Sequence, residues 1–390
     1  MHIIILNYHS IPVPPQELIR RFHITQGWAS GLAQHGARVT IFQRFHQDQI
    51  LPAEGVSYHF IKDSYGQSLS GWQIPLRFHR AVAQTCRASL KAGEPCVVHL
   101  HGLIFPIQAY HLRKALPRQA ALVVQHHAET PWRGWRSTLQ RLGLSVPDGF
   151  LFSPREVADP WLERRIISDP DKIYTIFEGS TGFRLADQAT ARRATGLDGN
   201  PLLLWVGRLN ANKDPATVLA GFELALQSRP EARLYMIYST DELLDWVKGR
   251  IASSPELRHA VVLLGRREHG ELEDYYNSAD FFVLGSHSET TGIALMEALA
   301  CGVTPIVTGI PSFRQITGGG KVGFLWEPGD VEGCTQAILT ATAGRTDRHA
   351  VRDWFEENLS YPALGRTALE IYAQVIRQRG EALTGVRLGM

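Results

Sequence analysis

The strongest structural signal in this 390-residue chain lies at residues 202–214, which read LLLWVGRLNANKD. Five consecutive apolar residues followed by a glycine and a polar loop are typical of a strand buried on both faces of a parallel sheet. Similar apolar runs follow at residues 234–237, 261–264, 281–284 and 305–307, with amphipathic stretches between them. This alternation predicts a doubly wound α/β sheet in the second half of the chain.

The first half of the chain shows the same alternation. Its apolar runs lie at residues 3–6, 39–42, 96–100, 122–124 and 150–152. They predict a second doubly wound, Rossmann-like sheet. Ligands of such sheets bind beyond the carboxyl ends of the strands, so a cleft between the two domains is the expected site.

A polar stretch at residues 185–200, with glycines just before Pro201, separates the two series of strands and indicates a connection between domains. We therefore predict an N-terminal domain at residues 1–195 and a C-terminal domain at residues 196–362. Residues 363–390 have apolar side chains at helical spacing and are predicted to form a terminal helix and tail that can cross back to the first domain.

The composition favours no strongly charged partner. The chain has 40 basic and 38 acidic side chains, so its net charge is too small to attract nucleic acid or an anionic membrane over the whole surface. The four cysteines are scattered without a CxxC pair, which indicates a reducing compartment rather than a disulfide or zinc framework. No run approaches about 18 apolar residues, so we predict a cytoplasmic protein, with peripheral contact at the inner membrane face left open.

The most informative chemical motif lies at residues 287–302, HSETTGIALMEALACG. A helix that begins near Gly292 would direct unpaired N–H groups and the positive end of its dipole toward a diphosphate. Glu289, before the helix, can accept hydrogen bonds from sugar hydroxyls, and Glu297, inside it, can accept both hydroxyls of a ribose. The alternative is a surface loop followed by an exposed helical glutamate.

Two cations follow the strand at residues 202–206. Arg208 and Lys213 lie on the loop that leaves this strand, where they could neutralise a departing diphosphate in place of magnesium. The alternative is a solvated turn with ordinary basic residues.

These motifs together resemble the retaining family 4, or group 1, glycosyltransferases. The resemblance rests on the Glu-x7-Glu spacing with its Ala-Cys-Gly ending, on Gly-Arg-Leu-x-x-x-Lys at residues 207–213, and on Glu-Gly-Ser at residues 178–180. It implies a GT-B fold with an acceptor-side domain at residues 1–195 and a nucleotide-sugar-binding domain at residues 196–362. In that fold the resemblance implies that Glu289, Glu297, Arg208 and Lys213 contact the nucleotide sugar. Thr291 and Gly292, at the predicted helix start, are further substrate-binding candidates.

Histidines follow two strands of the first half. Residues 97–102, VVHLHG, resemble the family's strand ending in His-x-His, which implies that His101 reaches the donor sugar. His126 and His127 follow the next strand and could meet the acceptor, support His101, or only pack at the strand end. A metal site formed by these histidines is disfavoured because the pairs lack ligand spacing.

The resemblance implies a metal-independent transfer with retention of configuration, without a cofactor. The donor is predicted to be a UDP-, GDP- or ADP-linked sugar, and the acceptor a hydroxyl of a saccharide, glycolipid or small metabolite. His101 and Glu289 would position the sugar. The oligomeric state stays open.

The chain departs from the family pattern at Ile19-Arg20, where a Gly-Gly pair is usual, at Thr290 and at Gln315. Two alternatives therefore stand beside transfer: a nucleotide-sugar epimerase or hydrolase on the same fold, and a non-catalytic subunit that binds a nucleotide sugar.

Two surface features have simpler interpretations. The segment WRGWRSTLQR at residues 132–141 could lie on an anionic lipid surface or stack on a saccharide, although a helix with inward-packed tryptophans is favoured. Asp169-Pro170-Asp171 resembles a metal-binding Asp-x-Asp motif, but the proline predicts a turn.

Overall fold

The computed structural model describes residues 1–53, 55–344 and 347–384, which form two compact units. The first unit comprises residues 1–179 and the segment that begins at Tyr361, and the second comprises residues 180–360. Each unit contains a largely or fully parallel sheet whose strands alternate with helices, as the sequence predicts. The domain limits at residues 195 and 362 stay predictions, while the compact units change over after residues 179 and 360.

The strands of the first unit are β1 (His2–Asn7), β2 (Arg38–Phe45), β3 (Gln49–Ala53), β4 (Val56–Lys62), β5 (Cys96–His101), β6 (Ala121–Gln125), β7 (Gly149–Phe152) and β8 (Ile173–Thr175). They form a sheet in the order β3-β4-β2-β1-β5-β6-β7-β8, in which only the β3 and β4 pair is antiparallel among the described residues. The central strands are buried on both faces, as their apolar runs predict.

The strands of the second unit are β9 (Leu202–Gly207), β10 (Arg233–Tyr238), β11 (Val261–Gly265), β12 (Phe281–Leu284), β13 (Thr304–Thr308) and β14 (Phe324–Trp326). They form a parallel sheet in the order β11-β10-β9-β12-β13-β14. The strand order reverses between β9 and β12. Loops that leave the carboxyl ends of these two strands therefore meet at the switch point of the sheet, where such folds bind ligands.

The helices in the described residues are α1 (Pro15–Arg21), α2 (His23–Gln34), α3 (Leu76–Lys91), α4 (Pro106–Ala115), α5 (Arg136–Gly143), α6 (Asp159–Glu163), α7 (Gln188–Thr195), α8 (Pro215–Leu226), α9 (Leu244–Ala252), α10 (Pro255–Ala260), α11 (Leu272–Ser278), α12 (Ile293–Ala300), α13 (Pro311–Ile316), α14 (Val331–Ala343), α15 (Arg348–Asn358) and α16 (Tyr361–Thr384). None of those in the described ranges is long and apolar enough to cross a membrane.

The long helix α16 packs against α2 within the first unit. The two helices approach so closely that a Cβ added at Gly31 would lie 2.1 Å from the carbonyl oxygen of Tyr361, and one added at Gly365 would lie 2.3 Å from the backbone of Gly31. Further along, the hydroxyl of Tyr372 lies 2.8 Å from Nδ1 of His99 on β5. The helix is therefore an integral part of the first unit.

Candidate functional site

Two loops of the second unit are joined at the switch point of its sheet. The backbone N–H of His287, after β12, donates to the carbonyl of Asn212, after β9, at 2.8 Å. The side-chain amide of Asn212 donates to the carbonyl of Ser288 at 2.9 Å. These bonds hold the loop that carries Lys213 against the loop that carries Glu289.

Lys213 and Glu289 pair directly. The side chain of Asn210 accepts from the N–H of Lys213 at 3.1 Å and begins a short 3₁₀ turn, which directs the lysine inward. Lys213 is only 9% exposed, and its ammonium contacts the Glu289 carboxylate. The hydroxyl of Ser286 donates to the same carboxylate oxygen at 2.8 Å. The structure thus brings together two residues that the sequence assigned to separate motifs.

A cavity of about 410 Å³ lies beyond the carboxyl ends of β9, β10 and β11. Its lining includes the side chains of Arg208, Lys213, Arg266, Arg267, Glu268 and His269. Among the described residues Arg208 and Arg266 make no ion pair, and both side chains are exposed. Cations outnumber anions on this surface, so the cavity favours an anionic ligand.

Arg266 and Arg267 were not predicted as site residues from the sequence. Both follow the last residue of β11, Gly265, in the same way that Arg208 follows β9. The rule that identified Arg208 as a strand-end cation would therefore have found them. Arg267 is oriented by a hydrogen bond from its Nε to the hydroxyl of Tyr275 at 2.8 Å.

Helix α12 begins one residue after Gly292, as predicted. Gly292 has a φ of 63°, and an added Cβ would lie 2.8 Å from Cδ1 of Ile316, so the position requires glycine both for conformation and for space. Ala294, in the first turn, lines the cavity, which places the start of this eight-residue helix beside the cationic surface. Thr291, which precedes the glycine, is largely buried.

Glu297 is buried and held from two sides. Nε2 of His269 donates to one carboxylate oxygen at 2.8 Å, and the hydroxyl of Tyr276 donates to the other at 3.0 Å. The hydrogen bond to Glu297 raises the pKa of His269, and burial raises the pKa of Tyr276 well above its ordinary range. The alternative of an exposed helical glutamate is therefore wrong, since the Glu297 side chain is only 4% exposed.

His269 was also missed. It lines the cavity and stacks on Phe183 with ring centroids 5.0 Å apart. Because His269 and Glu297 are 28 residues apart on different elements, no local pattern connects them.

The predicted residue His101 lies at the end of β5 in the first unit. Its Nδ1 is 2.7 Å from Nε2 of His127, and its ring stacks on that of His99 with centroids 4.6 Å apart. Burial lowers the pKa of His101 well below its ordinary value. His127 contacts His101 through this hydrogen bond, and His126 stacks on Phe152 at the strand end. A contact of either histidine with the acceptor stays a prediction.

No cluster of three or more histidine, cysteine or carboxylate side chains in the described ranges is arranged to hold a metal ion. Asp169 accepts a hydrogen bond from the N–H of Asp171 in a short 3₁₀ turn, as predicted. The expectation that the tryptophans of residues 132–141 pack inward is wrong for Trp135. Trp135 is 66% exposed at the N-terminal cap of α5, where the guanidinium of Arg136 lies 5.7 Å from the centroid of its ring.

Comparison with known proteins gives a consistent result. Residues 187–353 match the family model described as glycosyl transferases group 1. The sulfoquinovosyl transferase SQD2 of Arabidopsis thaliana is 32% identical over 164 residues, which are 41% of this chain and 30% of that protein. A D-inositol 3-phosphate glycosyltransferase of Rhodococcus jostii is 26% identical over 266 residues, 63% of this chain and 56% of that protein. The chain thus matches less than two thirds of the length of these relatives.

Solved structures show the same fold over almost the whole chain. The catalytic domain of starch synthase IV from Arabidopsis thaliana, bound to ADP and acarbose, superposes with a TM-score of 0.63 at 14% identity, covering 96% of this chain and 99% of that one. This likeness confirms the predicted GT-B fold.

Proposed function

We propose that this chain is a glycosyltransferase that transfers a sugar from a nucleoside diphosphate sugar to a hydroxyl acceptor. The match of residues 187–353 to the group 1 family model and the GT-B fold support this proposal. The observation that carries this proposal is the cavity beyond the carboxyl ends of β9, β10 and β11, beside the start of α12. It combines Arg208, Lys213, Arg266 and Arg267 with the start of α12. A diphosphate is the anionic group of a sugar donor that such a surface would bind.

In this proposal the cations of the chain stabilise the leaving diphosphate, which is the task of a metal ion in other enzymes. Negative charge develops on the leaving group as the bond to the sugar breaks, so fixed cations lower the barrier most when they are already oriented. Lys213 is oriented by Glu289 and by the cap at Asn210 before any ligand binds. Arg208 remains available for the phosphate because none of the described residues pairs with it.

The carboxylates would recognise hydroxyl groups of the donor. A carboxylate has about four acceptor positions, and the described contacts of Glu297 use two of them. Glu297 can therefore still accept from ribose hydroxyls, either directly or with His269 as an intermediary. Glu289 would accept from the sugar while its other contacts hold it in place. We propose that Thr291 and Gly292 contact the donor beside the helix start, and that His101 hydrogen bonds a hydroxyl of the transferred sugar.

We further propose that configuration is retained through front-face attack, with a short-lived oxocarbenium-like species. The acceptor oxygen forms the new bond to the anomeric carbon as the bond to the phosphate oxygen breaks, and the departing phosphate takes the proton of the acceptor hydroxyl. The base and the sugar of the donor are left to experiment. The ADP in the starch synthase IV structure supports testing ADP-linked donors beside UDP- and GDP-linked ones.

The decisive experiment incubates the purified chain with UDP-, GDP- and ADP-sugars and a panel of saccharide, lipid and small-molecule acceptors, each with and without EDTA. Transfer that persists in EDTA, with an α-linked product from an α-linked donor, would support the proposal. Release of free sugar would indicate a hydrolase, and a changed sugar an epimerase. Binding without turnover would indicate a non-catalytic subunit, and each of these three results would contradict the proposal.

A further inference from the structure

Three side chains of the first unit form a continuous hydrogen-bonded row. The carboxylate of Glu178 lies 2.8 Å from Nδ1 of His127, and Nε2 of His127 lies 2.7 Å from Nδ1 of His101. The row ends at Nε2 of His101, which is buried and has no hydrogen-bond partner among the described residues. A buried imidazole nitrogen without a partner is costly, so this atom is a candidate contact for a ligand.

The three residues reach this geometry from separate elements. His101 ends β5, His127 follows the adjacent strand β6, and Glu178 follows β8. The loop of Glu178 lies close to α2, because a Cβ added at the next residue, Gly179, would lie 2.7 Å from the Ile24 side chain. His127 therefore contacts a carboxylate whose loop packs closely against α2.

The backbone around His127 is fixed independently. The second carboxylate in this region, Glu129, accepts from the N–H of His127 at 2.7 Å and from the N–H of Leu103 at 3.1 Å. Glu129 thus holds the loop, while Glu178 bonds the ring of His127. The two acids have separable roles.

The direction of the row follows from donor and acceptor chemistry. An ionised carboxylate only accepts, so Glu178 places the proton of a neutral His127 on Nδ1. Nε2 of His127 is then an acceptor, and it places the proton of His101 on Nδ1. Nε2 of His101 consequently carries a lone pair. Burial keeps His101 neutral by lowering its pKa, which preserves this lone pair.

We propose that Glu178 and His127 are positioning residues that set the tautomer of His101, so that Nε2 of His101 accepts a hydrogen bond from a sugar hydroxyl. The expected effect of Glu178 and His127 on turnover rests on the proposed glycosyl transfer. The tautomer of His101 does not depend on that proposed function. The hydroxyl can belong to the donor sugar or to a saccharide acceptor, and both present the same chemistry to the imidazole.

The tautomer is measured on the full-length protein by long-range 1H–15N NMR with 15N-labelled histidine at pH 8, where a histidine with an ordinary pKa of about 6.5 is neutral. We expect Nε2 of His101 to show the shift of an unprotonated ring nitrogen. Glu178→Leu removes the acceptor that holds the proton of His127 on Nδ1, so His127 should carry its proton on Nε2 and donate to Nδ1 of His101. Nε2 of His101 should then become protonated. Glu163→Leu, at an exposed acid of the same unit, serves as the matched control. An unchanged His101 tautomer in the Glu178→Leu protein would overturn the proposal.

Activity gives the second measurement. One lost hydrogen bond to a substrate hydroxyl predicts that turnover of Glu178→Leu falls roughly 10- to 100-fold, with circular dichroism unchanged and with partial recovery in Glu178→Asp. Monodeoxy donors and monodeoxy acceptors then locate the hydroxyl. The analogue that lacks it should lose no further activity in the variant, because both changes remove the same bond.

Additive losses for every donor and acceptor analogue, or full turnover with an exchanged tautomer, would contradict the positioning role. Absence of transfer by the wild-type protein would instead contradict the proposed function, and the NMR result would still decide whether Glu178 sets the tautomer.

Discussion

The partly buried pair of Lys213 and Glu289 allows a quantitative prediction for the substitution Lys213→Ala. Lys213 is 9% exposed, so water screens its charge poorly. At about 4 Å and an effective dielectric constant of about 20, two unit charges interact by about 4 kcal/mol. The substitution would remove this attraction for a bound diphosphate and would leave the anion of Glu289 near it. We expect the turnover number to fall about 100- to 1,000-fold, or roughly 3–4 kcal/mol.

The assay follows release of the nucleoside diphosphate with whichever donor the wild-type protein uses. Lys248→Ala is the matched control, since Lys248 is an exposed residue on α9 of the same unit. We expect the control to retain wild-type turnover. Near-wild-type turnover of Lys213→Ala would refute the assignment of Lys213 to the diphosphate.

A loss of stability must be separated from a loss of chemistry. Without Lys213, Glu289 still accepts a hydrogen bond from the hydroxyl of Ser286, but its carboxylate has lost its cationic partner. The single substitution should therefore lower the free energy of unfolding by about 1–3 kcal/mol. The double substitution Lys213→Ala with Glu289→Gln removes the unpaired anion, so it should recover stability in urea unfolding without recovering turnover. Recovery of wild-type turnover in the double variant would contradict a direct contact of Lys213 with the diphosphate.

Three further predictions concern single contacts. Glu297→Gln removes the hydrogen-bonding anion that raises the pKa of His269, so the NMR titration midpoint of His269 should decrease. Any stability from this pair is fully present below the unfolded-state pKa and is lost as the pH rises through the folded-state pKa; an unchanged midpoint would contradict the pairing. Gly292→Ala should lower the free energy of unfolding by about 1–3 kcal/mol in urea, whereas Gly249→Ala, at an open helical position, should raise it slightly; equal effects would contradict the steric argument. Tyr372→Phe removes a buried hydroxyl and should lower the free energy of unfolding by about 1 kcal/mol. An unchanged urea midpoint would show that the hydrogen bond of this hydroxyl to His99 does not stabilise the fold.

The parts of the fold that could be predicted are those that local physical chemistry determines. Strands such as β9 and β13 are buried on both faces, so their sequences are continuous apolar runs. Strand β3 was not predicted, because it lies at the sheet edge and alternates half-buried with exposed residues. Strand β14 was not predicted either, since its three residues are too few for a periodic pattern.

The candidate site was likewise predicted in part, where local sequence signals locate its residues. Arg208 and the start of α12 could be located because strand ends and helix starts have local sequence signals. The contact of Lys213 with Glu289 joins residues 76 positions apart, and strand order rather than periodicity brings them together. The burial of Glu297 depends on side chains of a different helix and turn, so a single segment could not reveal it.

The packing of α16 against α2 has a consequence for synthesis of the protein. Residues 361–384 leave the ribosome only after the whole of residues 180–360, yet they supply Tyr372 to the interior of the first unit. The second unit can therefore complete its sheet during translation, while the first must wait with the α2 surface uncovered. A nascent chain of this protein consequently presents its earliest-made half to chaperones for the longest time.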